Sequence, residues 1–111
     1  MVKAAVNLDK ATVYEIINDM HKALEKYGVK DSHIALFGSF LKGNHHRESD
    51  IDMIIISDSF EGRNLFERVD MTLQAEYDVR SRYIVPMDIL LKTPEEYAYS
   101  KNACFDSEII V

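Results

Sequence analysis

Cysteine is nearly missing from this chain: Cys104 stands alone, so no disulfide can close within it. The N-terminus lacks a basic stretch leading into an apolar segment, and a cytoplasmic protein is therefore expected. No apolar run approaches the ~20 residues that cross a bilayer as a helix, which predicts a soluble protein with no membrane partner. Cations are scarce too, with 13 Lys and Arg against 19 Asp and Glu and a net charge of −6. Surfaces that bind nucleic acid by electrostatics need clustered cations, so autonomous nucleic-acid binding is not expected and any anionic substrate requires local help. The GxxxxGK[ST] phosphate loop, the GxGxxG turn and a hydrolase-like Ser/His/Asp order are all missing, leaving ATPase and dehydrogenase readings unsupported. What remains is a chain of 111 residues, expected to fold as a single domain over 1–111 with a modest core.

Periodicity divides that chain into alternating elements. Val13, Ile16, Ile17, Met20, Leu24 and Tyr27 recur at helical spacing, which predicts a helix over 9–27. Asp9 is a candidate cap, Thr12 and Glu15 a candidate capping box, and Gly28 a left-handed terminator. Ile34-Ala35-Leu36-Phe37, stopped by Gly38, reads as a first strand. The β-branched run Ile51 to Ser57 reads as a second strand buried on both faces. After turn residues at 58–62, Leu65, Phe66, Val69, Leu73 and Tyr77 predict another long helix from Asn64 to about Arg82. A third strand is expected over 84–91, with Pro86 pointing to an edge position or a bulge. Thr93-Pro94-Glu95-Glu96 then has the form of a helix start, with Thr93 as N-cap and Glu96 closing a box. Residues 108–111 are expected to form a short strand or to fray. Helices alternating with strands imply an α/β or α+β fold, a small mixed sheet flanked by helices.

Three features carry chemistry. Asp50 and Asp52 precede an apolar strand with one residue between them, so both carboxylates project to the same side. Like charges that close raise each other's pKa or attract a hard cation such as Mg²⁺, although the same residues also suit a solvated turn. Gly38-Ser39 leave the preceding strand, where backbone N–H groups can meet a phosphate; an ordinary strand-ending turn is the plainer reading. The two features meet only if the first two strands run antiparallel. Asp88 adds an acid among apolar residues of the third strand, and three carboxylates on adjacent strands could hold two cations.

Gly38-Ser39, ten residues, then Asp50-Ile51-Asp52 resembles the GS-x10-DxD signature of polymerase-β-like nucleotidyltransferases. Gly43, Ser49, the 34–37 strand, Asp88 and the helix start at Thr93 extend the likeness over most of the chain. The nearest group it suggests is the minimal nucleotidyltransferases, often paired with helical HEPN-type proteins in toxin–antitoxin systems. The resemblance implies that Asp50, Asp52 and Asp88 hold two Mg²⁺ ions, with Asp88 also accepting the proton of the attacking hydroxyl. It implies that Gly38 and Ser39 contact the triphosphate of ATP or another NTP. Many relatives carry arginine after the Gly-Ser pair where this chain has Phe40 and Lys42; Lys42 is the remaining candidate for a phosphate contact. The expected function is Mg²⁺-dependent transfer of a nucleoside monophosphate, AMP from ATP, to a hydroxyl acceptor such as a tyrosine of a HEPN-type toxin. The alternatives are a non-catalytic interaction module that masks its partner and a nucleotide-binding regulator. Adjacent His45 and His46 point apart on a loop, so no transition-metal site is expected there. Arg47, Arg80 and Arg82 are candidates for a basic rim or for solvated surface. Tyr77, Tyr83, Tyr97 and Tyr99 are candidates for a partner surface or for the edge of the core.

Overall fold

A computed structural model describes residues 9–42, 50–102 and 106–111, without the side chains of Ser39, Lys42 and Asn102. The expectations placed on Gly43, His45, His46, Arg47, Ser49 and Cys104 lie outside the described residues. The described chain runs α1 (Lys10–Lys26), β1 (His33–Phe37), α2 (Ser39–Lys42), β2 (Ile51–Ile56), a 3-10 turn (Asp58–Phe60), α3 (Leu65–Arg82), β3 (Met87–Lys92), α4 (Pro94–Asn102) and β4 (Ser107–Ile109).

The four strands form one mixed sheet in the order β3-β2-β1-β4. β1 runs antiparallel to both β2 and β4, whereas β2 and β3 are parallel. β2 is thus central, and its unbroken apolar run has the expected cause. Ile51, Met53 and Ile55 face one layer with α1 and α3, while Ile54 and Ile56 face a smaller cluster with Ala35 and Tyr97. Each strand alternates faces, so both layers demand apolar side chains from the five residues of β2 other than Asp52.

Local signals explain most element ends. Asp9 caps α1 by accepting from the Thr12 amide at 2.8 Å, which places Thr12 inside the helix and rules out the Thr12-Glu15 box. Gly28 follows α1 at φ 87°. Asn64 and Glu67 form a reciprocal box at the start of α3, and Thr93 and Glu96 form the expected one at α4, with bonds of 2.9 and 3.1 Å. β3 lies at the sheet edge, as Pro86 implied, but starts later than expected, at Met87. Pro86 has no N–H, and its carbonyl instead accepts from Ile51.

α3 departs furthest from its sequence pattern. The face it buries is Thr72, Ala75 and Val79, while Leu65, Phe66, Val69, Leu73 and Tyr77 are exposed by 43 to 85%. Small side chains at 72, 75 and 79 let α3 approach α1 and the sheet closely.

Arg68 clips this arrangement together. Its guanidinium donates to Glu96 at 2.6 and 3.2 Å and to the Leu91 carbonyl at 3.2 Å, while its Nε donates to the Arg63 carbonyl. One side chain thereby joins α3, β3 and α4. The Arg68 bond, followed by the Thr93 amide, lowers the pKa of Glu96 below its ordinary value. A carboxylate lowered in the folded state adds stability that is present above its unfolded pKa and lost as pH falls through the folded value. Denaturant titrations between pH 3 and 7 should therefore show a stability step in the acid range that Glu96→Gln removes. Arg68→Ala should cost about 2 kcal/mol at pH 7, because a mostly buried clip to a carboxylate and two carbonyls is lost.

Candidate active site

The antiparallel pairing of β1 and β2 brings the two glycine and aspartate features together. Phe37 sits opposite Asp52, and Gly38 follows immediately. Gly38 adopts φ 74°, and a Cβ built on it would lie 2.0 Å from Asp52 Oδ2. Only a residue without a side chain can turn the chain here and stay beside that carboxylate. α2 begins at the next residue, as a short helix.

The parallel register of β2 and β3 pairs Asp52 directly with Asp88. Neighbouring strands lie about 4.8 Å apart and paired residues share a face, so both carboxylates stand on the sheet face opposite α1 and α3. Asp50 precedes β2 by one residue and is exposed, as is Asp88, while Asp52 is half-buried. Burial, then the charge of Asp88, then that of Asp50 raise the Asp52 pKa above its ordinary value. The charges of Asp88 and Asp50 are therefore both felt at the Asp52 carboxylate. α4 covers the other end of this face through Tyr97, whose hydroxyl meets Ser107 Oγ at 2.7 Å, and leaves the acid end open.

Phe40, where arginine was noted in many relatives, is buried in the core layer beneath α1, so the first turn of α2 anchors the site from below. Arg80 and Arg82 are both engaged away from the acids: Arg80 with the Met87 carbonyl and Glu76, Arg82 with Asp19. Of the tyrosines, Tyr83 and Tyr97 are core residues, and Tyr77 and Tyr99 are exposed. Phe37, which the sequence offered only as a strand residue, forms a half-buried wall beside Asp52.

Among the described residues, no three Asp, Glu, His or Cys side chains stand close enough together to cage an ion by themselves. The donor set is nonetheless suited to Mg²⁺, which binds through one or two carboxylates and completes its shell with waters and phosphates. The space where a Cβ at Gly38 would fall belongs to a carboxylate oxygen of Asp52, so the missing side chain leaves that carboxylate its position.

The nucleotidyltransferase domain family matches residues 14–111, which include all three acids and the Gly-Ser corner. The chain belongs to that family. Its fold is also that of two solved structures. A candidate nucleotidyltransferase from Sulfolobus solfataricus is 16% identical, with a TM-score of 0.59 over 89% of this chain and 82% of its own. Another candidate nucleotidyltransferase is 24% identical, with a TM-score of 0.55 over 84% of this chain and 95% of its own. No curated protein matches the chain in sequence. For this nucleotidyltransferase the reaction class is transfer of a nucleotidyl group, and nucleotides are the substrates it implies.

Two substitutions test the local physics. Gly38→Ala should lower the melting temperature and displace Asp52, because the new methyl needs both a disfavoured φ and the space of a carboxylate oxygen. Asp52→Asn should raise the melting temperature in metal-free buffer at pH 7, since it removes a half-buried charge repelled by two others.

Proposed function

We propose that this nucleotidyltransferase moves AMP from ATP to a hydroxyl acceptor, with Asp50 and Asp52 holding Mg²⁺ and Asp88 completing the site. The observation that carries the reading is the direct Asp52 and Asp88 pairing beside Gly38, with the repulsion that raises the Asp52 pKa. Two Mg²⁺ ions, when bound, would offset phosphate charge and stabilise the entering and leaving oxygens of an in-line displacement. The residues do the rest. The Gly38-Ser39 backbone faces the triphosphate, for which Lys42 is the candidate cation, and exposed Asp88 accepts the proton of the acceptor hydroxyl as it attacks the α-phosphorus and pyrophosphate leaves.

The acceptor we infer is a tyrosine of a helical, HEPN-type partner in the cytoplasm, and the chain acts as its antitoxin. Support for a protein acceptor is the open acid end of the sheet face, where a bulky substrate can approach. Masking without transfer is the second reading, favoured by the exposed apolar face of α3.

Labelled ATP and Mg²⁺ incubated with this chain and the protein encoded beside it should give a mass increase of one or more AMP units on that protein, with pyrophosphate released. Asp88→Asn should slow transfer by ~10²–10⁴-fold, the usual contribution of a general base. A double Asp50→Asn, Asp52→Asn variant should abolish both transfer and protection from the toxin. Protection that survives undiminished in that variant would establish masking and reject transfer.

A further inference from the structure

We propose that the outer face of α3 and the groove beside it dock one amphipathic helix of another protein, apolar along one stripe and flanked by lysine and arginine. This deepens the partner reading above and rests on it for there being a partner; the surface itself is argued independently of the reaction.

Leu65, Phe66, Val69, Leu73 and Tyr77 are exposed by 64, 85, 43, 54 and 69%, and they line one side of the helix. Together they present on the order of 500 Å² of apolar side chain, the upper part of what the largest patch on a monomer carries. From Leu65 to Tyr77 the stripe runs ~18 Å, a little over three helical turns. It borders a groove of about 1100 Å³ between α3 and α4, lined by Leu65, Val69, Ile89, Leu91 and Tyr99. Tyr99 is itself 78% exposed, so an aromatic anchor stands on the α4 wall, across from Leu65 and Val69 of α3.

The groove runs along the free edge of β3, where an added strand would be the first alternative. Two arginines close that edge: Arg80 donates to the Met87 carbonyl and Arg68 to the Leu91 carbonyl, each at 3.2 Å. The two guanidiniums stand at both ends of the edge, where an incoming strand would have to lie, so the occupant is a helix laid against the side chains.

Charge selects its flanks. Asp70 is a helical neighbour of Phe66 and Leu73, and Glu61 and Glu95 line the groove; none has a side-chain partner among the described residues. Among the described residues the arginines around the stripe are paired, Arg63 with Glu67, Arg68 with Glu96 and Arg80 with Glu76, while Lys92 donates to the Ser100 hydroxyl and leaves one positive charge against the three free carboxylates. Free carboxylates beside paired cations favour a basic occupant. They disfavour a second copy of this chain, which carries a net charge of −6 and would bring the same acids face to face.

The test uses synthetic helices of about 18 residues, long enough to span the stripe. One carries Leu at i, i+3, i+4 and i+7 with Lys and Arg flanks, a second has Glu flanks, and a third is a scramble of the first. Binding is read by calorimetry at physiological salt without ATP or Mg²⁺, so failure here leaves the transfer reading intact and the reverse also holds. The basic helix should bind with Kd of roughly 1–100 μM. Leu73→Asp and Phe66→Asp, both at exposed positions and checked by circular dichroism, should each weaken it at least ~10-fold, and Asp70→Lys should weaken it and reduce its salt dependence. Hydrogen exchange on the wild-type chain should show protection at α3 when the peptide is added. No binding, equal binding of the scramble or the Glu-flanked helix, unchanged affinity in the α3 variants, or self-association of the chain through α3 would overturn the proposal.

Discussion

β2 is apolar on both faces over most of its length and acidic where it begins, and that contrast sets the position of everything around it. Ile54 and Ile56 must meet Tyr97 on one side while Met53 and Ile55 meet the helices on the other. A slip of one residue would exchange the two sets and carry Asp52 into the core under α1, so the register is held by the burial of the whole strand. The acids are therefore placed by hydrophobic packing some distance from them. Their mutual repulsion is a cost the fold tolerates because they occupy the hydrated end.

The sheet order follows from the same constraint. A strand with two buried faces needs neighbours on both sides, β1 running back against it and β3 alongside it. β1 delivers Gly38 to Asp52, and β3 delivers Asp88. Parallel pairing needs a crossover, which α3 provides. Having made that connection with small residues on its inner face, α3 is left with an apolar outer face, and its arginines reach down to close the strand edge below.

Much of this was legible in the residues. The start of α4 was readable in Thr93-Pro94-Glu95-Glu96, and the edge position of β3 in Pro86, since caps and proline act over a few residues. The GS-x10-DxD spacing located the candidate site because it names both sides of one antiparallel pair. Other parts were not legible. Thr12 and Glu15 have box-like spacing, but Asp9 wins the cap because its carboxylate accepts the Thr12 amide. No local pattern marks Arg68, whose bonds form only where three elements meet around it.

By itself the sequence determined the elements, the double burial of β2 and the acid pair at its start, because periodicity, capping and strand alternation are local. Only the tertiary structure decided that Asp88 stands beside Asp52, that Gly38 must lack a side chain, and that the apolar stripe of α3 faces outward. Those depend on which elements become neighbours, and the stripe shows the reason most plainly. Helical periodicity marks an apolar face, but which face turns inward is set by how closely the small residues opposite it can pack.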